Sequence, residues 1–443
     1  MGIDFITAIQ ESSTSFSGSF DSRIGRYTSE SSKDWGIGYY LLHGQKDGFY
    51  CLNDFSRSTS GIVDIANQLI KYGESHGDVD HDEFSNQRTD SLTIDITDTS
   101  PWHEDHESQM EDVFSTVHNI FEDHSHSIHY AIEIKGKKIQ KTIQNSSGTN
   151  VVQKFDYGLI SIEMSLQENA NVHTISQFGG IQQSDCNLDL ISARIETEIK
   201  ELQDMREARK IPPGNYDVIL HPDSAYSLIH ESIGHGSEAD QIINGVSFLT
   251  NKIGHKVASS ELTITDDPHL RGGGWSMYDD EGTKTKGTLL VEDGILVDYL
   301  HTMKTARILD TPPTGNARST SYYETPEPRQ SNLFVEPKDH SLEEMLEEVQ
   351  NGILLGPTYL ASTSIYSGEI HVESQYARII KNGELEGYLY PTTLLGNALD
   401  ILQGVSSVGD TLSKHPTECL KSRSRVNIGA YAPYLGINDV YLQ

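Results

Sequence analysis

The chain has 443 residues, 65 acidic against 33 basic, and a formal net charge of −32. Such an acid excess repels phosphates and argues against nucleic acid as a partner, and no run of about 18 apolar residues exists to span a membrane. Three cysteines, Cys51, Cys186 and Cys419, make no disulfide framework in a chain this long, so a reducing cytoplasm is the default.

The opening residues, MGIDFITAIQESSTSFSG, have neither the basic start nor the apolar core of a secretory signal. Residues 35–42 and 48–52 read as a hairpin turning at 44–47. Residues 60–72 space Ile62, Ile65, Ala66, Leu69 and Ile70 as a helix does, and 110–121 form a second amphipathic helix. The polar stretch between them, 73–101, reads as a surface excursion. Residues 128–134, 138–143 and 159–166 alternate as strands, with Asn145-Ser146-Ser147-Gly148 as a turn. A long helix is expected over 189–210, stopped by Pro212-Pro213-Gly214-Asn215, which marks a boundary between domains 1–212 and 213–443. Beyond it come a strand at 216–220, a helix opened by Pro222 with Gly236 as its cap, a hairpin at 287–300 turning on Asp293-Gly294, and helices over 342–352 and 393–404.

The helix opened by Pro222 carries His230-Glu231-Ser232-Ile233-Gly234-His235. Two imidazoles and an adjacent carboxylate are the parts of a zinc hydrolase: ligands for the ion and a base for its bound water. The histidines stand five apart, not four. At about 100° per residue that separates them by about 140° on a regular helix, too far to share one ion. The last turn must therefore bend or overwind, with Gly234 suited to permit it. The six residues alone equally describe an amphipathic helix with surface histidines, in a chain that has 19 of them. Spacing does not select a third ligand.

The motif continues as Gly236-Ser237-Glu238-Ala239-Asp240 and is followed by Asp279-Asp280-Glu281-Gly282-Thr283, the 287–300 hairpin, Pro313-Thr314-Gly315-Asn316-Ala317-Arg318, Pro328-Arg329-Gln330-Ser331-Asn332 and Val408-Gly409. In content and order these blocks resemble the TldD/PmbA metallopeptidases, from about Trp35 to the end. The resemblance implies an α+β fold with an N-terminal α/β domain and a C-terminal, mainly antiparallel β domain housing the zinc. It implies Zn2+ held by His230, His235 and Cys419, with Glu231 as general base. It also implies an extended peptide substrate taken as an added strand, and a dimer with itself or with a relative lacking the motif. The family usually follows its cysteine with glycine, whereas this chain has Leu420, which puts the local backbone in question. Glu238 and Asp240 either hold a histidine tautomer, cap the helix or are solvated.

Four further residues are candidates for substrate contact: Gly273 and Gly274, as a turn or a close approach of backbone to a peptide, and Arg318 and Arg329, which meet a substrate carboxylate or the dimer partner, with structural ion pairing as the other reading. The histidines at 76, 81, 103, 106, 124, 126 and 129 read as solvated surface, and Cys51 and Cys186 as idle thiols. Two other function classes stay open, a peptide-binding subunit that does not cut and a protein with purely structural metal. The acid excess itself reads either as ordinary solubility or as adaptation to a high-salt cytoplasm. The high-salt reading expects the unfolding midpoint to rise steadily with added KCl; a chain most stable at low salt contradicts it.

Overall fold

A computed structural model describes residues 5–43, 46–52, 92–97, 100–102, 106–122, 127–166, 173–421 and 424–443. The helix expected over 60–72, and His76, His81, His103, His124 and His126, lie outside the described residues.

The first half contains β1 (Phe5–Asp21), β2 (Arg26–His43), β3 (Lys46–Leu52), β4 (Leu92–Asp95), α1 (His106–Glu122), β5 (Ile128–Asn145), β6 (Asn150–Leu166), β7 (His173–Gly180) and α2 (Leu188–Asp204). Its sheet runs β3-β2-β1-β5-β6-β4, with β7 also on β6. Every pairing is antiparallel except β4 with β6. The expected α/β domain is thus corrected to α+β. Turns as short as those joining β1 to β2 and β5 to β6 leave no room for the crossover a parallel pair needs. The two strands expected at 128–134 and 138–143 are one, because Gly136 lets Phe16 and Trp102 lie against the strand without breaking it.

Helices α1 and α2 cover this sheet. Met110, Val113, Val117 and Phe121 meet Ile191, Ile195, Ile199 and Leu202 over Ile132, Ile160 and Ile162. Each such side chain contributes about 1.5–3 kcal/mol when fully buried. Asn187 caps α2 by accepting from Asp189 and Leu190. The helix ends at Asp204, short of the expected Lys210, because Arg209 exchanges main-chain hydrogen bonds with Tyr388 and Tyr390 instead.

The second half runs β8 (Gly214–Leu220), α3 (Pro222–Ile229), a wide π turn (His230–Gly234), α4 (Ala239–Ile243), β9 (Ile264–Asp266), β10 (Thr288–Glu292) and β11 (Ile295–Leu296). It continues as α5 (Met303–Leu309), β12 (Ala317–Arg318), β13 (Glu327–Pro328), β14 (Asn332–Val335), α6 (Leu342–Val349), β15 (Asn351–Leu355), β16 (Thr358–Thr363) and β17 (Glu369–Ser374). Last come β18 (Ala377–Lys381), β19 (Glu384–Leu389), β20 (Thr393–Asn397), α7 (Ala398–Gln403), β21 (Val405–Val408), β22 (Ser413–Lys421), β23 (Ser424–Ala432) and β24 (Leu435–Leu442). One sheet is ordered β16-β17-β20-β24-β8-β15-β18-β19, with β21 on β24; a second is ordered β11-β10-β9-β14-β23-β22. Both are mainly antiparallel, with parallel contacts at β8–β15 and β14–β23. Their facing side chains form one core that includes α3. The expected helix at 393–404 is corrected: residues 393–397 are strand β20, claimed by pairing with β17 and β24, and helix begins only after Asn397 caps it. The 287–300 hairpin turns where expected, with Asp293 at φ 45 and Gly294 at φ 80.

Position of the motif follows from β8. Val218, Ile219 and Leu220 are fully buried between β15 and β24, so the chain leaves the sheet interior directly into α3. The hairpin β22–β23 packs across α3 from the other sheet.

In the first half, the indole of Trp102 spans Gly136 and Gly158 on neighbouring strands and donates to the Tyr157 carbonyl at 2.8 Å. A Cβ on Gly158 would fall 2.7 Å from Trp102 Nε1. Gly158→Ala is expected to lower unfolding free energy by about 1–3 kcal/mol through overpacking, read from the urea midpoint.

Candidate metal centre

α3 starts as expected, with Pro222 in its first turn and Ala225, Leu228, Ile229 and Ile233 turned into the core. At His230 the helix widens. The His235 N–H donates to the His230 carbonyl, an i→i+5 bond, so residues five apart come closer to one direction than in a regular helix. In place of the expected bend or overwinding the turn is underwound, which narrows the angular gap. The rings of His230 and His235 lie with centroids 4.7 Å apart.

Gly234 serves this turn by lacking a side chain, not by an unusual φ. A Cβ there would meet Gln330 Oε1 at 2.1 Å, while the Gln330 amide lies 3.4 Å from the His230 carbonyl. Gly236 likewise is no left-handed cap; it is absent from the positive-φ residues and gives space to Leu249.

Cys419 comes from β22, opposite Val426 of β23, and is 2% exposed. Its Sγ lies 3.3 Å from His235 Nε2. One ligand atom from each of His230, His235 and Cys419 falls within 4.8 Å of the others, and among the described residues no other such group exists. Leu420, where the family places glycine, is 59% exposed. The strand runs on through it, so its side chain points away from the centre and glycine is not needed.

Both imidazoles are oriented through Nδ1. His230 Nδ1 is 3.1 Å from the Tyr226 hydroxyl, one helical turn earlier, and His235 Nδ1 is 3.2 Å from Glu238 Oε2. A ring that gives its Nδ1 proton to oxygen presents a bare Nε2 for a metal. The buried donor set of two nitrogens and one sulfur suits zinc-like ions. Glu231 lies beside it, with Oε1 4.0 Å from His230 Nε2 and a side chain 20% exposed.

The electrostatics agree. Burial raises the Cys419 thiol, but His230 and His235 outweigh it and bring the value down to about 5. Burial lowers His235, yet Glu238 and Cys419 outweigh it and hold the ring well above its usual value. A metal ion bound here would take the place of the proton shared between the Cys419 sulfur and the His235 ring. Glu238, 1% exposed, is pushed up by burial and pulled down further by His235, Lys421 and Arg329, to about 2. Lys421 Nζ lies 3.2 Å from Glu238 and 2.8 Å from Asp240. Of the readings left open for Glu238, holding a histidine is the one its position serves.

The remaining motif blocks form the frame. Asp266, fully buried, accepts from Ser331 N, Ser331 Oγ and Asn316 Nδ2, each at 2.7 Å. Asp279 accepts from Glu281, Thr283 and Ala317, and Asp280 takes Lys141 of the first-half sheet at 2.8 Å. Arg329 is fully buried and offers no surface to a substrate; it is spent on Glu238 and on carbonyls of the β22–β23 hairpin. Gly274 is buried against Ser331, where a Cβ would meet the carbonyl oxygen at 2.2 Å. Only Gly273 and Arg318 reach a cavity, of about 210 Å³, which also has Lys137, Trp275 and Glu418 in its wall. Arg318 donates to the carbonyls of Gln330 and Asn427 at 2.6 and 2.7 Å. Tyr226, Gln330 and Lys421 escaped the sequence reading. Tyr226 had a signal, its place four residues before His230; Lys421 had none.

The fold and this site define an α+β protein with a buried centre of two histidines and one cysteine. Residues 213–443 match the family model described as PmbA/TldA metallopeptidase C-terminal domain. A metalloprotease of Methanocaldococcus jannaschii is 31% identical over 74% of this chain and 73% of its own length. A zinc metalloprotease TldD homolog of Saccharolobus solfataricus is 30% identical over 51% of each chain. The crystal structure of TldE from Thermococcus kodakarensis shares the fold, with a TM-score of 0.76 over 99% of this chain and 97% of that one at 17% identity. The chain belongs to the PmbA/TldD metallopeptidase family.

Glu238 titrates below its ordinary value of 4.5 in the folded protein. Its contribution to stability is therefore present above pH 4.5 and lost as pH falls toward about 2. Stepped-pH urea unfolding of the metal-free protein should show this loss, and Glu238→Gln should flatten the slope across that window.

Proposed function

We propose that this chain is a zinc-dependent metallopeptidase that cuts extended peptides, with His230, His235 and Cys419 as ligands and Glu231 as general base. The observation that carries the reading is the convergence of three donors from two distant segments beside a carboxylate committed to no other partner among the described residues. Two imidazoles and a thiolate favour zinc over hard cations, and the curated name of the Saccharolobus relative points the same way. When bound, the ion supplies a Lewis acid that polarises a peptide carbonyl and acidifies a water.

The chain's own residues complete the chemistry. Glu231 accepts the proton of the attacking water and returns it to the leaving amine. Glu238 is unsuited to that task, being committed to His235 and Lys421. Tyr226 and Glu238 keep both imidazoles in the ligating tautomer. β16, the outer strand of its sheet among the described residues, packs against the π turn. Its outer edge, which pairs with no further strand among the described residues, can take a peptide as an added strand, which makes recognition tolerant of sequence.

A division at residue 213, a cytoplasmic location and a dimer belong to the same reading, the partner being a second copy or a relative without the motif. No helix among the described residues is long and apolar enough to cross a membrane.

Glu231→Gln should abolish cleavage of an unstructured peptide while zinc content, measured by mass spectrometry, stays at the parent level. His230→Ala and Cys419→Ala should lose the zinc. Undiminished turnover in Glu231→Gln would rule out the mechanism, and full zinc in Cys419→Ala would rule out the third ligand. A parent that binds zinc and peptide without cutting would identify the chain as a binding subunit.

A further inference from the structure

We propose that Arg329 is a positioning residue of the metal centre, a single guanidinium that locks the helix-borne ligand His235 to the strand-borne ligand Cys419. The proposal rests on the metal-centre reading and adds how the two halves of that centre are held in register.

His235 ends a helical turn and Cys419 lies on β22, and their ligand atoms touch at 3.3 Å. That contact holds the two atoms; the segments that carry them have a tether of their own. Arg329 lies between the two segments with no exposed surface. Its Nη2 donates to the carbonyl of Cys419 itself at 2.8 Å, and its Nη1 donates to the Ser424 carbonyl, across the hairpin, at 3.2 Å. Its Nε faces Glu238 Oε1 at 3.6 Å, and the other oxygen of that carboxylate holds His235 Nδ1. The path from one ligand to the other is thus Cys419 main chain, guanidinium, carboxylate, imidazole.

Arg329 can serve as a reference point because its own main chain is fixed. Its N–H donates to the Asn316 carbonyl at 2.9 Å and its carbonyl accepts from Asn316 Nδ2 at 3.1 Å. Asn316 in turn is bound to buried Asp266. Geometry also explains the residue type. Only a planar fork reaches two carbonyls and a carboxylate in three directions; an ammonium reaches one or two of them as a point charge. Lys421 touches the same carboxylate but is shared with Asp240, and it sits on β22, so it adds charge without an independent anchor.

The test uses cobalt(II) added alone to the metal-free protein, because a cysteine ligand then gives a thiolate-to-metal charge-transfer band. Two variants are measured by chelator competition and by that band: Arg329→Lys and Arg329→Gln, both of which leave Glu238 on His235 and Lys421. Arg329→Gln keeps an amide that can still donate to one of the two carbonyls, while Glu238 keeps its other partners. Disturbing such partners of ligating side chains costs about 10–100-fold in metal affinity. Both variants are expected to bind cobalt 10–100-fold more weakly, with a shifted band. Affinity within about twofold of the parent in either folded variant overturns the proposal, as does failure of both to fold, which would assign Arg329 to folding. A parent that binds no cobalt, or a Cys419→Ala variant that keeps the band, refutes the metal-centre reading itself and is distinguished from failure of the tether by the parent measurement.

Discussion

One hydrogen bond, from the His235 N–H to the His230 carbonyl, sets the geometry on which the rest of the site depends. In a regular helix these two side chains diverge; in the widened turn they come closer to one direction, and both Nε2 atoms can face one point. Such a turn gives up the usual i→i+4 bond pattern and needs support from outside the helix. That support is visible in Gln330, whose side chain fills the space above Gly234 and approaches the His230 carbonyl. Ser232 adds a bond to the Leu228 carbonyl at 2.5 Å. The bend is a property of the packed turn, not of glycine flexibility.

Around this turn the protein concentrates buried charge, which is costly unless each group is paired. Glu238 answers to Lys421, Arg329 and His235; Asp266 to Ser331 and Asn316; Asp280 to Lys141 and Ser319. Some of these bonds join segments more than a hundred residues apart, and the Lys141–Asp280 pair joins the first-half sheet to the second. A chain with net charge −32 can place its few cations selectively. Lys141, Arg329 and Lys421 all sit where a buried carboxylate needs one. The blocks that carry the family resemblance are, in large part, this frame.

Much of the local structure was legible before any coordinates. Helices α1 and α3 and the β5–β6 and 287–300 hairpins follow from apolar spacing, Pro222 and Asp293-Gly294, all of which act over a few residues. The errors arose where distant chain decided. Residues 393–397 have helical spacing but lie between two strands that need partners. The α2 helix stops early because Arg209 is drawn to β19 and the residue beyond it. β1, 17 residues rich in serine, carries too little apolar alternation to be read as a strand, and gains its identity from β2 and β5 on either side.

For the site, the six motif residues announce histidines and a carboxylate suited to metal chemistry, since ligand type and order are covalent facts of the chain. The same residues leave the 140° problem unsolved, because the width of a helical turn is settled by what packs on it. Cys419 lies 184 residues from His235; resemblance named it, and only the crossing of β22 over α3 brings its sulfur to the imidazole. Arg329 shows the division most clearly. Its residue type suited a substrate carboxylate as well as an internal ion pair, and burial chose the second by surrounding it with Glu238, Cys419 and Ser424. Sequence determined which chemical groups the protein owns; tertiary structure decided which of them meet, because contacts across sheets depend on packing and not on spacing along the chain.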